Sequence, residues 1–139
     1  MSTSPATDLR AALIAAIKAD SGVKATAMGA NPRVVNRTTP NLAFPFIVVS
    51  STSRPADTSS FRAHEHEVSL HLEGEAEGDQ AGEAIFFAIQ RLLRDWAPQA
   101  ISATHVLSNI EWKFEDVHAE EGGKRYYGLQ RWRALTEEL

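Results

Sequence analysis

Alternation between apolar and polar residues marks residues 63–78 as part of a β-sheet. Val68, Leu70 and Leu72 share one parity, so on a strand they lie on one face. Glutamate, serine and histidine occupy the opposite parity, which is typical of a solvated face. The pattern predicts a half-buried strand over about residues 65–73, closed by the glycines that follow it.

Three further strands are predicted from neighbouring patterns. Residues 46–50 form an apolar, β-branched run after a proline, which is typical of a strand buried on both faces. Residues 103–117 and 125–135 alternate, and the turn between them contains Glu-Glu-Gly-Gly. These two segments therefore predict a β-hairpin.

Parity within this hairpin assigns its tryptophans to different environments. Trp112 shares its parity with Ile110 and Phe114, which predicts a core position. Trp132 lies on the parity opposite to Leu129, on the less apolar face of the last strand. An aromatic side chain on such a face indicates a contact with another subunit.

Two segments have the periodicity of amphipathic helices. In residues 4–20, Leu9, Leu13 and Ile17 form an apolar stripe. A second helix is predicted to begin after a capping Asp79 and to end near residue 95. Its predicted inner face consists of Ala81, Ala84, Ile85, Ala88, Ile89, Leu92 and Trp96.

The order helix, strand, strand, helix, strand, strand predicts an α+β fold. We expect a small antiparallel or mixed β-sheet of about four strands with two α-helices packed on one face. Residues 23–45, with possible short extended pieces, and 51–63 are predicted to be irregular, and such long segments often serve a partner surface. The length favours one domain spanning residues 1–139.

Composition excludes several classes of protein. The net charge of −4 argues against a nucleic-acid-binding protein. The absence of cysteine removes disulfides, thiolate metal ligands and cysteine nucleophiles. No apolar stretch reaches the roughly 18 residues of a membrane span, and the first residues lack signal-peptide features. We therefore expect a cytosolic protein at synthesis.

Charges are unevenly distributed along the chain. No lysine or arginine lies between Arg62 and Arg91, whereas lysine and arginine cluster near the C-terminus. One interpretation is two solvated faces of opposite sign. The other is a pair of complementary surfaces that meet between copies of the protein. The acidic set is Glu65, Glu67, Glu73, Glu75, Glu77, Asp79 and Glu83, and the basic set is Lys124, Arg125, Arg131 and Arg133.

His64 and His66 are the best candidates for metal ligands. Two histidines separated by one residue on a strand share a face, which can suit zinc or iron if a third ligand arrives. His71 has the opposite parity, so the third ligand would be His105 or His118. The alternative is that His64 and His66 lie at the exposed start of a strand.

No motif for catalysis accompanies these histidines. The sequence has no nucleophile elbow and no phosphate-binding glycine loop, and its glutamates alternate out of the apolar faces. We therefore expect neither an enzyme nor a bound cofactor or metal, and a histidine-based metalloenzyme is the minor alternative.

The ordered layout of the segments resembles the small tail-completion, or tail-terminator, proteins of long-tailed phages and of phage-derived gene transfer agents. The Phe-Pro-Phe-Ile-Val-Val element after an arginine-containing segment is the most specific part of the resemblance. The segments that carry it are Asn31–Val35, Phe44–Ser50, Glu67–Leu72, Gln80–Leu93 and Tyr127–Leu135.

This resemblance implies a function that depends on shape. Such proteins form a hexameric ring that caps the tail tube, stops its polymerisation and joins it to the head-side connector. The implied partners are further copies of the chain, the tail tube protein and a head-side neck or stopper protein, while DNA passes through the channel without specific binding. The ring belongs to the finished virion or phage-like particle. A head–tail connector or stopper protein is the alternative.

An interface between copies needs two different surface patches on each subunit. The residues predicted to contribute to such patches or to partner contacts are Arg54, Phe61, Arg62, Glu65, Glu67, Arg125, Arg131, Trp132 and Arg133.

Overall fold

A computed structural model describes residues 3–56 and 62–139. It contains three helices and six strands, where the sequence predicted two helices and about four strands. In chain order they are α1 (Pro5–Ala19), α2 (Ser21–Lys24), β1 (Arg33–Val35), β2 (Phe46–Pro55), β3 (Ala63–Glu75), α3 (Gln80–Arg94), β4 (Gln99–Ala100), β5 (His105–Ala119) and β6 (Arg125–Glu138).

The six strands form one mixed sheet in the order β1-β2-β3-β6-β5-β4. Only the contact between β1 and β2 is parallel, and the other pairs are antiparallel. The four long strands are those that the sequence predicted. The two additional strands have three and two residues, which is too short for a hydrophobic pattern to show.

The predicted loops are shorter than the sequence indicated. Strand β2 continues through a polar stretch to Pro55, and β3 already begins at Ala63. The prediction of a loop at 51–63 was therefore wrong for its first five residues. These residues have polar side chains, but their backbone hydrogen bonds to β3 hold them in a strand. Residues 23–45 contain strand β1 and the end of α2.

Helices α1 and α3 pack on one face of the sheet. Leu9, Leu13 and Ile17 of α1 and the Ile85 and Phe86 side chains of α3 enter the same core as the apolar face of β3. Ser4 caps α1 by accepting a hydrogen bond from the Thr7 backbone N–H at 3.1 Å. Asp79 precedes α3 as predicted, but its side chain makes no capping hydrogen bond.

The helix-covered face of the sheet is the core face, and the other is the outer face. Val68, Leu70 and Leu72 are buried on the core face, as predicted. The parity predicted for β6 was wrong. The buried residues of β6 are the even-numbered ones, because they pair with the even-numbered residues of β3. They are Tyr126, Gly128, Gln130, Trp132, Ala134 and Thr136.

The two tryptophans of the hairpin exchange their predicted environments. Trp132 is 2% exposed and donates its indole N–H to Gln130 at 2.8 Å, so it lies in the core instead of on a surface. Trp112 is 50% exposed and Phe114 is 46% exposed, although both were assigned to the core. A register shift between them moves Phe114 to the outer face, where it pairs with Arg131.

Candidate assembly surface

Within residues 3–56 and 62–139 no helix covers the outer face, so its side chains are open to contact with other chains. It contains two recesses. The charged recess, of about 620 Å³, lies at the end of the sheet where β2 finishes and β3 begins. The apolar recess, of about 450 Å³, lies at the opposite end of the same strands.

Ion pairs line the charged recess. Glu65 binds Arg133 at 2.6 Å and Arg54 at 3.1 Å. The hydrogen bond from Arg54, together with that from Arg133, holds the pKa of Glu65 below its ordinary value. Glu67 lies 3.7 Å from Arg131. Acidic and basic residues that are far apart in the sequence thus meet within one subunit, because β3 and β6 are neighbours.

This pairing changes the interpretation of the charge pattern. The four residues Glu65, Glu67, Arg131 and Arg133 do not form two separate solvated faces, since they partly neutralise one another in the charged recess. Their contact with a second copy of the chain stays a prediction. Such a contact would require these side chains to pair with charged residues of the neighbouring copy in addition to, or instead of, their partners within the subunit.

The apolar recess has different chemistry. Phe46, Val48, Tyr127 and Leu129 line it from β2 and β6, and His71 lines it from β3. Leu129, whose parity the sequence predicted as the more apolar one of β6, lies here on the outer face. Apolar residues on an uncovered sheet face are typical of a surface that another chain covers.

The other predicted interface residues lie around these recesses. Arg62 pairs with Glu138 at 3.2 Å, and Arg125 stacks over the Phe44 ring at 4.9 Å. Phe61 lies outside the described residues. Trp132 is removed from the candidate surface by its burial in the core.

Three exposed aromatic residues that the sequence did not predict as surface residues lie near β5. Trp112 and Phe114 belong to the strand itself, and Phe87 of α3 is 54% exposed. Arg131 lies 5.9 Å from the Phe114 ring centre, and Arg91 lies 6.0 Å from that of Phe87. The signal for exposure of Trp112 was weak, because its parity matched that of buried Ile110.

His64 and His66 lie near the start of β3, at positions that belong to its core face. His66 is fully buried, so the alternative of an exposed strand start was wrong for it. Its Nδ1 atom lies 2.6 Å from the Ser53 hydroxyl and its Nε2 atom 2.8 Å from the Thr136 hydroxyl. Both ring nitrogens are therefore engaged, and His105 pairs with Asp8 instead of completing a ligand set.

The Nδ1 atom of His64 is buried and has no hydrogen-bond partner within residues 3–56 and 62–139. Those residues nevertheless contain no group of three histidine, aspartate or glutamate side chains arranged to hold a metal ion. Within the same part of the chain, no helix is long and apolar enough to cross a membrane.

Burial of His66 predicts a pH-dependent stability. Burial lowers the pKa of His66 from 6.5 to about 4, and electrostatic interactions with His64, Arg10 and His105 act in the same direction. Below pH 6.5 the unfolded chain therefore binds this proton before the folded chain does. We expect the free energy of unfolding to fall by about 2–3 kcal/mol between pH 6.5 and pH 4 from this group alone. Urea denaturation across that range measures the slope.

His71 provides the matched control for this prediction, since it is an exposed histidine on the outer face of the same strand. His66→Gln should flatten the pH dependence between pH 6.5 and 4, whereas His71→Gln should leave it as in the parent chain. An unchanged slope in His66→Gln would show that the group does not titrate as expected.

Comparison with known proteins places this architecture in a family. The model of the family described as "Tail completion protein gp17" matches residues 11–137. No curated protein sequence matches the chain. Among solved structures, a chain of "Virion of native gene transfer agent (GTA) particle" has a similar fold, with a TM-score of 0.80 and 19% sequence identity. The alignment covers 98% of this chain and 99% of that chain.

The similarity at this level of identity concerns the fold, while the family match concerns the sequence itself. That match spans most of the chain, from within α1 to the penultimate residue of β6, and it includes all of α3 and of β1 to β5. The chain therefore belongs to the tail completion protein gp17 family and has a structural role in a phage-like tail.

Proposed function

We propose that the protein is a tail terminator. Six copies form a ring that caps the tail tube, stops its polymerisation and joins it to the head-side connector. The family match over residues 11–137 carries this proposal, and the fold shared with a chain of a gene transfer agent virion supports it. Subunits are made in the cytoplasm and then become part of the particle at the junction of tail and neck.

The surface of the subunit suits such a ring. A closed ring needs two different patches that meet between neighbours, and the two lateral edges of the sheet, β1–β2 on one side and β5–β4 on the other, are different patches on one subunit. The two ends of the long strands then face opposite sides of the ring. One side receives the last ring of the tail tube protein, and the other receives the neck or stopper protein.

The acidic end of the subunit is assigned to the mouth of the DNA channel, on one of the two sides of the ring. It is formed where β3 ends and α3 begins, next to the turn between β5 and β6. Carboxylates there repel DNA phosphates, so that the genome passes without specific binding. A ring structure with these carboxylates directed away from the channel would overturn this assignment. The residues of the acidic end are Glu73, Glu75, Glu77, Asp79, Glu120 and Glu121.

Deletion of the gene in the producing strain tests the proposed function. We expect tails of uncontrolled length that lack heads, because nothing then ends polymerisation of the tube. Electron microscopy of the particles measures tail length and the fraction of tails joined to heads. Expression of the chain from a plasmid should restore both.

The same images separate the alternatives. Loss of a head–tail connector would leave tails of normal length that are not joined to heads. Loss of an enzyme would leave the architecture of the particles intact. Either of these results would overturn the assignment as a terminator.

A further inference from the structure

The sheet has two open edges within the described residues. Strand β1 pairs only with the first three residues of β2, so residues 49–55 have a neighbouring strand on one side alone. Strand β4 pairs only with Val106 and Leu107, which leaves β5 open from residue 108 onwards. Open strand edges present unpaired backbone N–H and C=O groups and are sites for pairing with another chain.

These open segments lie at the same level of the sheet. Thr52 of β2 pairs with Glu67 of β3, which pairs with Arg133 of β6. Arg133 in turn pairs with Glu111 of β5. Thr52 and Glu111 therefore occupy equivalent heights on opposite edges. The short strands β1 and β4 cover different ends of the two edges and leave matching segments uncovered.

The direction of the strands also fits. Successive antiparallel pairings from β2 through β3 and β6 to β5 make β2 and β5 antiparallel to each other. A rotation about an axis along the strands would bring the β5 edge of one copy beside the β2 edge of the next. The new contact would be antiparallel, like the other contacts between the long strands.

Side chains at the two edges are complementary in size. The β5 edge carries Trp112 on the core face and Phe114 on the outer face, both about half exposed. At the same levels the β2 edge carries Ser51 and Ser50, which leave space for large rings. The guanidinium of Arg10 donates to the Ser51 hydroxyl at 2.8 Å and offers a cation for the incoming indole.

We propose that the β5 edge of one copy pairs antiparallel with the β2 edge of the next, so that the sheets of all subunits join into one continuous sheet around the ring. This proposal rests on the proposed function and names the contact that closes the ring. Register shifts at Ser108 and Lys113 interrupt regular pairing, so the paired part of β5 is residues 109–112. Trp112 and Phe114 then close over the two faces of the junction.

Engineered cysteines test this contact, because the chain contains no native cysteine. Thr52→Cys with Glu111→Cys places one thiol on each edge. Within one chain the two positions are three strand spacings, about 14 Å, apart, which is too far for a disulfide. Between neighbours in the proposed ring they are adjacent. On oxidised, purified particles we expect a ladder of covalent oligomers that ends at the size of the ring.

Matched double variants define the register. Ser50→Cys or Arg54→Cys combined with Glu111→Cys shifts the thiol by two residues along β2, and Thr52→Cys with Glu120→Cys moves the second thiol to the hairpin turn. We expect strongest cross-linking for Thr52 with Glu111 and none for Glu120. Trp112→Ser should weaken ring formation about 30-fold, whereas Phe87→Ser should not.

The outcomes separate this proposal from the proposed function. Rings on particles that do not cross-link through any of the three β2 positions would overturn the edge contact and leave the terminator assignment standing. Particles that contain the protein without any ring would overturn both.

Discussion

Replacement of His105 by leucine is expected to lower the free energy of unfolding by about 3 kcal/mol at pH 7. His105 Nδ1 lies 2.8 Å from the Asp8 carboxylate, and both side chains are more than nine-tenths buried. Leucine removes the partner and leaves a carboxylate inside the protein with only its contacts to Thr3 and Ser102. The buried carboxylate keeps its desolvation cost but loses the charge-assisted hydrogen bond from His105 that helped to offset it.

The effect should depend on pH in a defined direction. Burial raises the pKa of Asp8, but the hydrogen bonds from Thr3, Ser102 and His105 outweigh it, so the net pKa lies below its ordinary value of 3.8. The ionised carboxylate therefore stabilises the fold above the unfolded pKa, and that contribution is lost as the pH falls through the lowered folded pKa. The difference between parent and variant should shrink at acidic pH.

An exposed pair on the hairpin supplies the control. His118 and Asp116 lie 3.2 Å apart and are both more than half exposed. His118→Leu should change the free energy of unfolding by no more than about 0.5 kcal/mol. Chemical denaturation followed by tryptophan fluorescence measures both variants. Equal losses for the two variants would show that the buried pair contributes nothing beyond an ordinary surface contact.

This buried pair shows what a single sequence does not reveal. Asp8 and His105 are 97 residues apart, and neither carries a local signal for the other. Their contact depends on how α1 lies across the sheet to reach the start of β5. The sequence predicted the helix from its apolar stripe, because Leu9, Leu13 and Ile17 repeat at helical spacing. Its position on the sheet depends on packing between segments, which periodicity does not encode.

The predicted faces succeeded or failed for a related reason. Strand β3 was assigned correctly because its buried face is uniformly apolar from residue 68 to 72. Strand β6 was assigned wrongly because its buried face includes Gln130 and Thr136, which are satisfied by hydrogen bonds, while its outer face carries Leu129. Both leucines of β6, Leu129 and Leu135, lie on its outer face, and Leu129 borders the apolar recess. The failure therefore coincides with the candidate assembly surface.

The charged recess was also only half predictable. The sequence identified the acidic and basic residues that form it, and it indicated that they would be complementary. It did not indicate that Glu65 and Arg133 would meet within one subunit, because that contact follows from the neighbouring positions of β3 and β6. The exposure of Phe114 was missed because a β-bulge reverses the parity of the residues beyond it, and no residue pattern in 105–119 marked the bulge. Trp112 lies before this bulge on the same face as Ile110, so parity could not show that its side chain lies at an exposed edge.

Replacement of Gly74 by alanine is expected to destabilise the fold by about 3 kcal/mol. The ring of Tyr126 is 1% exposed and lies between two glycines, Gly74 of β3 and Gly82 of α3. A Cβ atom at Gly74 would overlap Cζ and Oη of that ring. A Cβ atom at Gly82 would lie 2.9 Å from Cδ2 of the same ring, so the ring is closely packed on the α3 side as well.

A double variant shows whether this overlap is the cause. Tyr126→Leu alone should cost about 2–4 kcal/mol because it leaves a cavity. Added to Gly74→Ala, the same change removes the overlap, so the two losses should combine to clearly less than their sum. Gly123→Ala is the control, since a Cβ there meets only the flexible end of the Glu120 side chain. Strictly additive losses in thermal and urea denaturation would mean that overlap with the Tyr126 ring is not the reason why Gly74→Ala destabilises the fold. An overlap confirmed in this way would show that the glycine serves the packing of α3 onto β3 and β6, the part of the subunit that bears the acidic end.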